Sequence, residues 1–352
     1  MKVLLVRGNP RKTGVCERLA DIFVDGLIAG GADVFDFDTT TAKISHCKGC
    51  LTCNFGEVGR CVIGDDMLEA CDYLSSADAL ICVSPVYFYA MSSQMKMFFD
   101  RCFPFVRGYS YNEDLQRNEN SLSFKKIGKK FLTISVASGR LSSSFSSMSH
   151  TYKTIAQALG FDYCADIKRG ESVYFSGLGD DSIRVGKVLS AFREAGETFA
   201  KTGNIESELV DQMEMKLAPN DEIFSKRAKV FWELSKHQKV GEREIADLKA
   251  ELRKLAKKMQ NSIAKNYPEK IFSIKYSFID MRESFFVFID SQKYKIEKNV
   301  EQSSADVEIR LTSTLFYDII ANLRDISSAI KSKKLTYVGD SYLFSLFADS
   351  IK

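Results

Sequence analysis

The sequence has few prolines, histidines and tryptophans and no long apolar run. It contains 5 prolines, 1 tryptophan and 3 histidines. The histidines, His46, His150 and His237, lie in no recognisable motif, so an acid–base centre built on imidazole is not indicated. No apolar run is long enough to span a bilayer, and Val3–Val6 is followed at once by Arg7, unlike a signal peptide. The net charge of +3 is close to neutral, and no basic patch is interleaved with aromatics. We therefore expect a cytoplasmic protein with no membrane span and no nucleic-acid partner.

Length and composition are those of a folded protein with more than one domain. Of 352 residues, 45% are hydrophobic and 27% are charged, which is ordinary for a globular protein. The length exceeds what one core usually supports. We predict a first domain at 1–204, a helical linker at 205–266 and a smaller α+β domain at 267–352. Nine cysteines in a reducing compartment indicate thiols, metal ligands or redox groups before disulfides.

The first domain is organised around a buried strand that is followed by aromatic residues. The run Ala79–Val83 is apolar on both faces, as a central parallel strand is. Pro85 is predicted to end this strand, because proline cannot donate to a sheet ladder. Three aromatics then occupy a loop that is usually polar: Tyr87, Phe88 and Tyr89. At the carboxyl end of a parallel strand they favour a flat apolar ligand, with packing in a core or interface as the alternative.

A second loop has the composition of a phosphate site. The strand Lys2–Val6 runs into the glycine-bearing, basic segment 8–14, and a helix follows. Backbone N–H groups at a helix N-terminus attract anions, and Arg11 and Lys12 add positive charge. The segment is neither a P-loop nor a GxGxxG fingerprint, so an ordinary turn is the alternative. A phosphate site and a flat apolar site at one sheet edge match the shape of flavin mononucleotide (FMN).

Four cysteines lie within fifteen residues: Cys47, Cys50, Cys53 and Cys61. Thiolates at this spacing suit an iron–sulfur cluster, although the Cys-Pro run of bacterial ferredoxins is absent. Zinc is a second interpretation, but structural zinc sites usually draw cysteine pairs from separated segments. The third interpretation is a loop of small thiols that pack against a cofactor or an interface.

Three segments together resemble one family. The segments 8–12, 61–67 and 84–101 look like those of the flavodoxin-like NAD(P)H-dependent FMN reductases, a family that includes iron–sulfur flavoproteins. The resemblance implies a doubly wound α/β fold with a parallel five-stranded sheet over about the first 200 residues. It also implies FMN, NAD(P)H as electron donor, and dimers with FMN near the interface. The FMN-binding residues that it implies are Asn9, Arg11, Lys12, Thr13, Gly14, Val15, Cys16, Pro85, Val86, Tyr87, Phe88, Tyr89, Ser138, Gly139 and Arg140. Some members with this cysteine spacing resemble cluster-bearing electron carriers, whose ligands would here be Cys47, Cys50, Cys53 and Cys61, and others use the same loop without metal.

The chain departs from this family in the segment 9–16, which the resemblance assigns to the FMN phosphate. The family usually has a small hydroxyl residue where Asn9 stands, and Asn-Thr where Val15 and Cys16 stand. Each missing side-chain hydrogen bond to a charged phosphate is worth on the order of 1 kcal/mol or more. We therefore expect weaker FMN binding unless Asn9 and Thr13 replace some of these bonds.

The C-terminal part has a different pattern. Residues 221–264 are charge-dense and helical, and apolar residues from Ile245 to Met259 at spacings of three and four form one seam. Period-two strands follow Pro268, and the last 85 or so residues resemble a sterol carrier protein-like α+β domain. Such domains hold lipids in an apolar tunnel. The residues that are candidates for lining a tunnel, or for filling a core, are Phe272, Phe278, Phe285, Phe286 and Phe288.

Three functions follow from these features. The first is an FMN-dependent oxidoreductase that passes reducing equivalents from NAD(P)H to a flavin, a quinone or a similar small acceptor. The second is an electron carrier with a [4Fe-4S] cluster on the cysteine loop. The third is a lipid-binding or apolar-ligand-binding protein whose flavin domain is degenerate.

Overall fold

The chain forms two compact units in a computed structural model. The structure describes residues 1–351 except 12–13, 56–59, 114–116, 123–127, 177–181, 238–240, 268, 282, 299–303 and 321–323. The units are Met1–Ala228 and Lys229–Lys352. The three-part division made from the sequence stays a prediction. No helix in the described ranges has the length and apolar character needed to cross a bilayer.

The first unit is built on a parallel sheet. Its strands are β1 (Lys2–Arg7), β2 (Asp33–Asp38), β3 (Ala79–Tyr87), the short β4 (Ala90–Met91), β5 (Val106–Asn112), β6 (Arg117–Leu122), β7 (Lys130–Val136) and β8 (Asp162–Arg169). The order β2-β1-β3-β7-β8, with β4 pairing β3 antiparallel, confirms the flavodoxin-like doubly wound fold. The strands β5 and β6 pair antiparallel with each other as a separate two-stranded sheet.

Helices pack on both faces of this sheet. They are α1 (Val15–Ala29), α2 (Thr52–Phe55), α3 (Met67–Ser76), α4 (Ser93–Asp100), α5 (Ser146–Ala158), α6 (Ser182–Thr202) and α7 (Ser207–Glu214). The helix α8 (Asp221–His237) crosses the boundary between the two units. Ser92 caps α4, since its hydroxyl accepts a hydrogen bond from Met95 N at 3.1 Å.

The prediction that Pro85 ends its strand is wrong. β3 continues to Tyr87, and Pro85 pairs with Val136 of β7. The ladder between β3 and β1 ends at Val83, so Pro85 has a neighbouring strand of the parallel sheet on one side only. An edge-like position of this kind tolerates a missing N–H.

The helices α1 and α6 cross at glycines. A Cβ on Gly26 would lie 2.0 Å from the Arg193 carbonyl oxygen, and one on Gly196 would lie 2.3 Å from that of Phe23. Side chains are therefore excluded at this crossing. The close contact fixes α1, whose N-terminus follows the predicted phosphate loop.

The second unit is the predicted α+β region. It contains α9 (Gly241–Asn266), β9 (Phe272–Phe278), β10 (Glu283–Ile289), β11 (Tyr294–Lys298), β12 (Val307–Leu311), α10 (Ser313–Ile320), α11 (Ile326–Lys331), β13 (Thr336–Gly339) and α12 (Ser341–Ile351). The sheet order is β11-β10-β9-β12-β13. Leu248, Leu252, Leu255 and Met259 of α9 lie in the core of this unit, so the apolar seam packs on its own domain.

The candidate tunnel residues of this unit are mostly core. Phe272, Phe278 and Phe285 belong to the buried cluster, and Phe278 contacts both Phe285 and Phe316 edge-on. Phe286 is buried and Phe288 is half-buried. The aromatic rings pack against one another here, as a filled core requires. An apolar ligand in this domain stays a prediction.

Candidate functional site

Two of the predicted loops meet at the carboxyl edge of the first sheet. The strands β1 and β3 are adjacent and parallel, so the loops after them share an edge. Gly8 N donates to Val83 O at 2.8 Å, and the Ser92 hydroxyl donates to Gly8 O at 2.5 Å. A Cβ on Gly8 would lie 2.8 Å from Met95 Cβ. Gly8, the first residue of the phosphate loop (residues 8–14), therefore packs against the N-terminus of α4.

The phosphate loop ends at the N-terminus of α1. Gly14 is the N-cap and offers no side-chain hydrogen bond to the helix, so N–H groups of the first turn are available to an anion. Arg11 is exposed beside them. Lys12 and Thr13, also predicted to contact FMN, lie outside the described residues. This arrangement suits a phosphate group.

The first turn of α1 also has features that do not suit a phosphate group. Val15 is half-buried and Cys16 is buried, and neither offers a strong side-chain donor. Burial, and then the neighbouring Glu17, raise the pKa of the Cys16 thiol. Val15 and Cys16 would therefore give a phosphate group fewer side-chain hydrogen bonds than the Asn-Thr pair of the family would.

An acidic cluster surrounds the buried Arg7 at the end of β1, and it was not predicted from the sequence. Arg7 is paired with Asp36 at 2.7 Å, with Asp21 at 2.8 Å and with Glu17 at 3.3 Å. Burial opposes the charge of Arg7, but Asp36 and Asp21 raise its pKa well above the ordinary value. The only signal in the sequence is an arginine at the end of an apolar strand, together with acidic residues four apart on α1.

Asn9 connects the cluster to the phosphate loop. Its Nδ2 atom donates to Glu17 Oε2 at 2.6 Å and to Arg11 O at 3.1 Å. Its Oδ1 atom is buried and has no hydrogen-bond partner among the described residues. A buried acceptor without a donor costs about 1–3 kcal/mol. Asn9 thus shapes the loop through its amide nitrogen, while its buried oxygen is left without a donor.

The aromatic residues form an exposed turn between β3 and β4. Tyr87 pairs with Ala90, which leaves Phe88 and Tyr89 as a two-residue hairpin loop, with φ angles of 48° and 67°. Positive φ at both positions defines a type I′ turn, which glycine and asparagine favour. The exposed fractions are 44% for Tyr87, 97% for Phe88 and 63% for Tyr89. The aromatic turn (Tyr87–Ala90) is therefore a strained apolar surface beside the phosphate loop, while Pro85 is buried and Val86 half-buried within β3.

The third predicted loop follows β7, the next strand of the sheet. Ser138 is exposed, and Gly139 O accepts a hydrogen bond from Glu171 N at 2.9 Å. Arg140 is held elsewhere, because it pairs with Glu171 at 3.2 Å and with Asp221 at 3.1 Å and donates to Ala218 O at 3.2 Å. The loop therefore places Ser138 and Gly139 at the carboxyl edge, while the Arg140 guanidinium binds the protein itself.

The four cysteines of the predicted cluster loop lie near one another. Cys47 and Cys50 are exposed, and Cys53 and Cys61 are half-buried. Burial raises the pKa of Cys53, and the nearby Cys61, Cys50 and Cys47 thiols raise it further. A hydrogen bond from the Thr52 side chain lowers the pKa of Cys50. In the described part of the chain, no group of three or more His, Cys, Asp or Glu side chains is positioned to hold a metal ion.

One buried arginine fixes both ends of this cysteine loop. Arg101 is 1% exposed and makes a bidentate pair with Asp65 at 2.7 and 2.9 Å. It also donates to Ser45 O at 2.8 Å and to Ile63 O at 3.3 Å. Burial lowers its pKa, but Asp65 and Cys61 outweigh that effect and raise it. This role was not predicted from the sequence, since a lone arginine after a helix carries no spacing signal.

The fold of the first unit and the loops at its sheet edge indicate the class of protein. A doubly wound α/β sheet binds ligands outside the carboxyl ends of its strands, and here the loops at that edge bring together a helix N-terminus and an aromatic turn. The first unit thus has the flavodoxin-like α/β fold. Residues 1–157 match the family described as NADPH-dependent FMN reductase, which confirms the resemblance predicted from the three segments.

Curated relatives and solved structures are similar over the same part of the chain. An iron–sulfur flavoprotein of Archaeoglobus fulgidus is 37% identical over 105 residues, 30% of this chain and 47% of the relative. One from Methanocaldococcus jannaschii is 33% identical over 109 residues, 31% of this chain and 55% of the relative. The chain spans about half the length of these curated relatives. An NAD(P)H:quinone oxidoreductase from Methanothermobacter marburgensis is 14% identical, with a TM-score of 0.41, over 58% of this chain and 98% of that structure.

Proposed function

We propose that the first unit is an FMN-dependent oxidoreductase that takes reducing equivalents from NAD(P)H and passes them to a flavin, a quinone or a similar small acceptor. The observation that carries the proposal is the pairing of a helix N-terminus with a strained aromatic turn at neighbouring strand ends. The match of residues 1–157 to the NADPH-dependent FMN reductase family supports it. Bound FMN would supply the redox chemistry, because it accepts hydride and releases electrons singly or in pairs.

The residues at the sheet edge fit the parts of FMN unequally. N–H groups at the start of α1 and the Arg11 side chain would hold the phosphate, and Asn9 would support the loop from behind. Tyr87, Phe88 and Tyr89 would pack against the ring. Ser138 and Gly139 would approach its polar edge. The ring site is well supplied with contacts, whereas the phosphate site lacks side-chain donors at Val15 and Cys16.

The test is direct binding of FMN to purified protein. The protein is titrated into FMN while the quenching of flavin fluorescence is monitored, and the quenching should saturate. Tyr87→Ala should weaken it about tenfold, since stacking on an aromatic residue is worth roughly 1 kcal/mol or more. Tyr337→Ala, on the second unit, is the matched control and should leave binding unchanged. Protein that binds no FMN at any concentration would disprove the proposal.

A second subunit is part of this proposal. The family that the chain resembles implies dimers with FMN near the interface, and the exposed Phe88 is a suitable contact for a ligand or for a partner copy. Light scattering of the purified protein measures the mass in solution. A monomeric mass with full FMN binding would remove the dimer from the proposal and leave the cofactor.

A [4Fe-4S] electron carrier is the second candidate function. Two observations favour it: the effect of the Cys61, Cys50 and Cys47 thiols on the pKa of Cys53, and relatives named iron–sulfur flavoproteins. In that case Cys47, Cys50, Cys53 and Cys61 would be the ligands. Protein purified without air should then contain about four iron atoms per chain. Cys53→Ser should abolish the iron and Cys164→Ser should not; iron-free wild-type protein would exclude this function.

A further inference from the structure

Two cysteines that no predicted site uses are in contact in the first unit. Cys71 lies on α3, and Cys102 lies two residues after the end of α4. The hydrogen-bonding contact with Cys71, and then burial, raise the pKa of the Cys102 thiol. The Cys71 sulfur also lies 3.9 Å from the Arg101 carbonyl oxygen. Cys71 packs against the buried cluster that contains Cys102, and two neighbouring thiols on separate segments are candidates for a disulfide.

The two thiols differ in their access to solvent. Cys102 is 3% exposed and belongs to the apolar core of the unit. Cys71 is half-buried and lines a small cleft whose other walls include Arg60, Cys61 and Arg101. A reagent in the cleft therefore meets Cys71, whereas Cys102 lies in the core against which Cys71 packs. This is the arrangement of an attacking thiol with a resolving thiol.

We propose that Cys71 and Cys102 form a thiol–disulfide exchange site for a small disulfide. The Cys71 sulfur attacks one sulfur of the disulfide, which forms a mixed disulfide and releases one small thiol with the proton. The Cys102 sulfur then attacks Cys71, which forms the Cys71–Cys102 bond and releases the second small thiol. Two protein thiols are oxidised and one small disulfide is reduced to two thiols, so electrons and protons balance without another reagent.

Cys82 is a rival for Cys102 in the core, because it belongs to the same buried cluster and acts on the pKa of the Cys102 thiol. It is fully buried within β3, however, so a reagent from solvent does not reach it first. The Cys164 thiol donates to the Phe131 carbonyl oxygen at 3.1 Å. Cys61 is the one rival on the cleft wall that the structure describes. Packing in a common core holds Cys71 and Cys102 together, whereas Cys61 sits on a loop. The disulfide would therefore link α3 to the end of α4, next to the arginine that holds the cysteine loop.

Peptide mapping of the whole protein tests this site. Reduced protein is exposed to glutathione disulfide and quenched with N-ethylmaleimide. It is then cleaved without reductant by trypsin and a glutamate-specific protease. Cleavage after Glu69 separates Cys61 from Cys71, and cleavage at Arg101 and Arg107 releases the Cys102 peptide. The expected product links the Cys71 and Cys102 peptides, is confirmed by fragment ions that exclude Cys82, and disappears after treatment with dithiothreitol.

Variants assign the order of the steps. Cys102→Ser should accumulate one glutathione on Cys71, and Cys71→Ser should leave Cys102 unmodified. Cys164→Ser is the matched control and should form the cross-link as the wild type does. If Cys71 is recovered alkylated while the exposed Cys47 and Cys50 have reacted, or if it is found linked to Cys61, the proposal is wrong. The wild-type map decides this even if a variant does not fold.

Discussion

Replacing Gly196 with alanine should destabilise the first unit strongly, although alanine favours a helix. Alanine in place of glycine stabilises a helix interior by about 1 kcal/mol. At this site the new Cβ would lie 2.3 Å from the Phe23 carbonyl oxygen and 3.0 Å from Leu27 N. Both are backbone atoms of α1, so no side chain can turn away, and α1 and α6 must separate by roughly 1 Å to restore van der Waals distance.

The cost of that separation exceeds the gain from helix propensity. Overpacking a filled contact costs about 1–3 kcal/mol, and more where backbone must move. We expect a net loss of about 2 kcal/mol for Gly196→Ala. On the same helix, a Cβ added at Gly186 would have no atom of the described residues within 4 Å, so Gly186→Ala should stabilise by about 1 kcal/mol. Glycine-to-alanine substitution should therefore change the free energy of unfolding in opposite directions at these two positions of one helix.

Urea unfolding followed by circular dichroism measures both effects as free energies of unfolding. In a thermal scan, about 1 kcal/mol corresponds to a shift of roughly 2–4 °C for a unit of this size. Gly26→Ala, on the facing helix, should resemble Gly196→Ala because its Cβ would lie 2.0 Å from Arg193 O. A Gly196→Ala protein as stable as the Gly186→Ala protein would show that the helices do not approach this closely.

Three further predictions concern the site and the charges around it. The double variant Val15→Asn with Cys16→Thr should tighten FMN binding about fivefold or more, since each restored hydrogen bond to the phosphate is worth on the order of 1 kcal/mol. Calorimetry measures the affinity for FMN. An unchanged affinity would show that the phosphate binds elsewhere. Arg140→Gln should lower the free energy of unfolding by about 1–3 kcal/mol, because the buried Glu171 loses one partner. The affinity for FMN should stay the same. A large loss of FMN affinity would instead show that Arg140 contacts the cofactor. A hydrogen bond from Arg310, with Ser277 and Lys275, lowers the pKa of Glu308 from 4.5 to about 2, so its stabilising contribution is present above pH 4.5 and is lost as the pH falls through 2. Glu308→Gln should therefore reduce the fall in the free energy of unfolding between pH 4.5 and pH 2, and Glu222→Gln should leave that fall as in the wild type.

The sequence predicts the sheet better than the geometry of its edge. Buried parallel strands such as Ala79–Val83 are continuous apolar runs, and the resemblance to flavodoxin-like reductases implies how these strands are ordered. Hence the fold and the two adjacent loops are recoverable from one chain. The ion pairs of Arg7 and Arg101 are not recoverable in this way, because their acidic partners come from other elements and only the tertiary structure brings them together. The prediction for Pro85 fails for a similar reason, since its tolerance depends on where the neighbouring strand β1 ends.

The aromatic turn connects conformational strain with function. A left-handed conformation costs an ordinary residue about 1–2 kcal/mol, and Phe88 and Tyr89 both adopt it. Burial does not offset this cost for Phe88, which is almost fully exposed, and its edge-on contact with Tyr89, at 6.1 Å between ring centroids, is worth at most about 1 kcal/mol at such a site. Glycine or asparagine would form the same turn with less strain. Stability therefore does not account for two aromatic rings at these positions, whereas contact with a flat ligand or with a second copy of the chain would bury both.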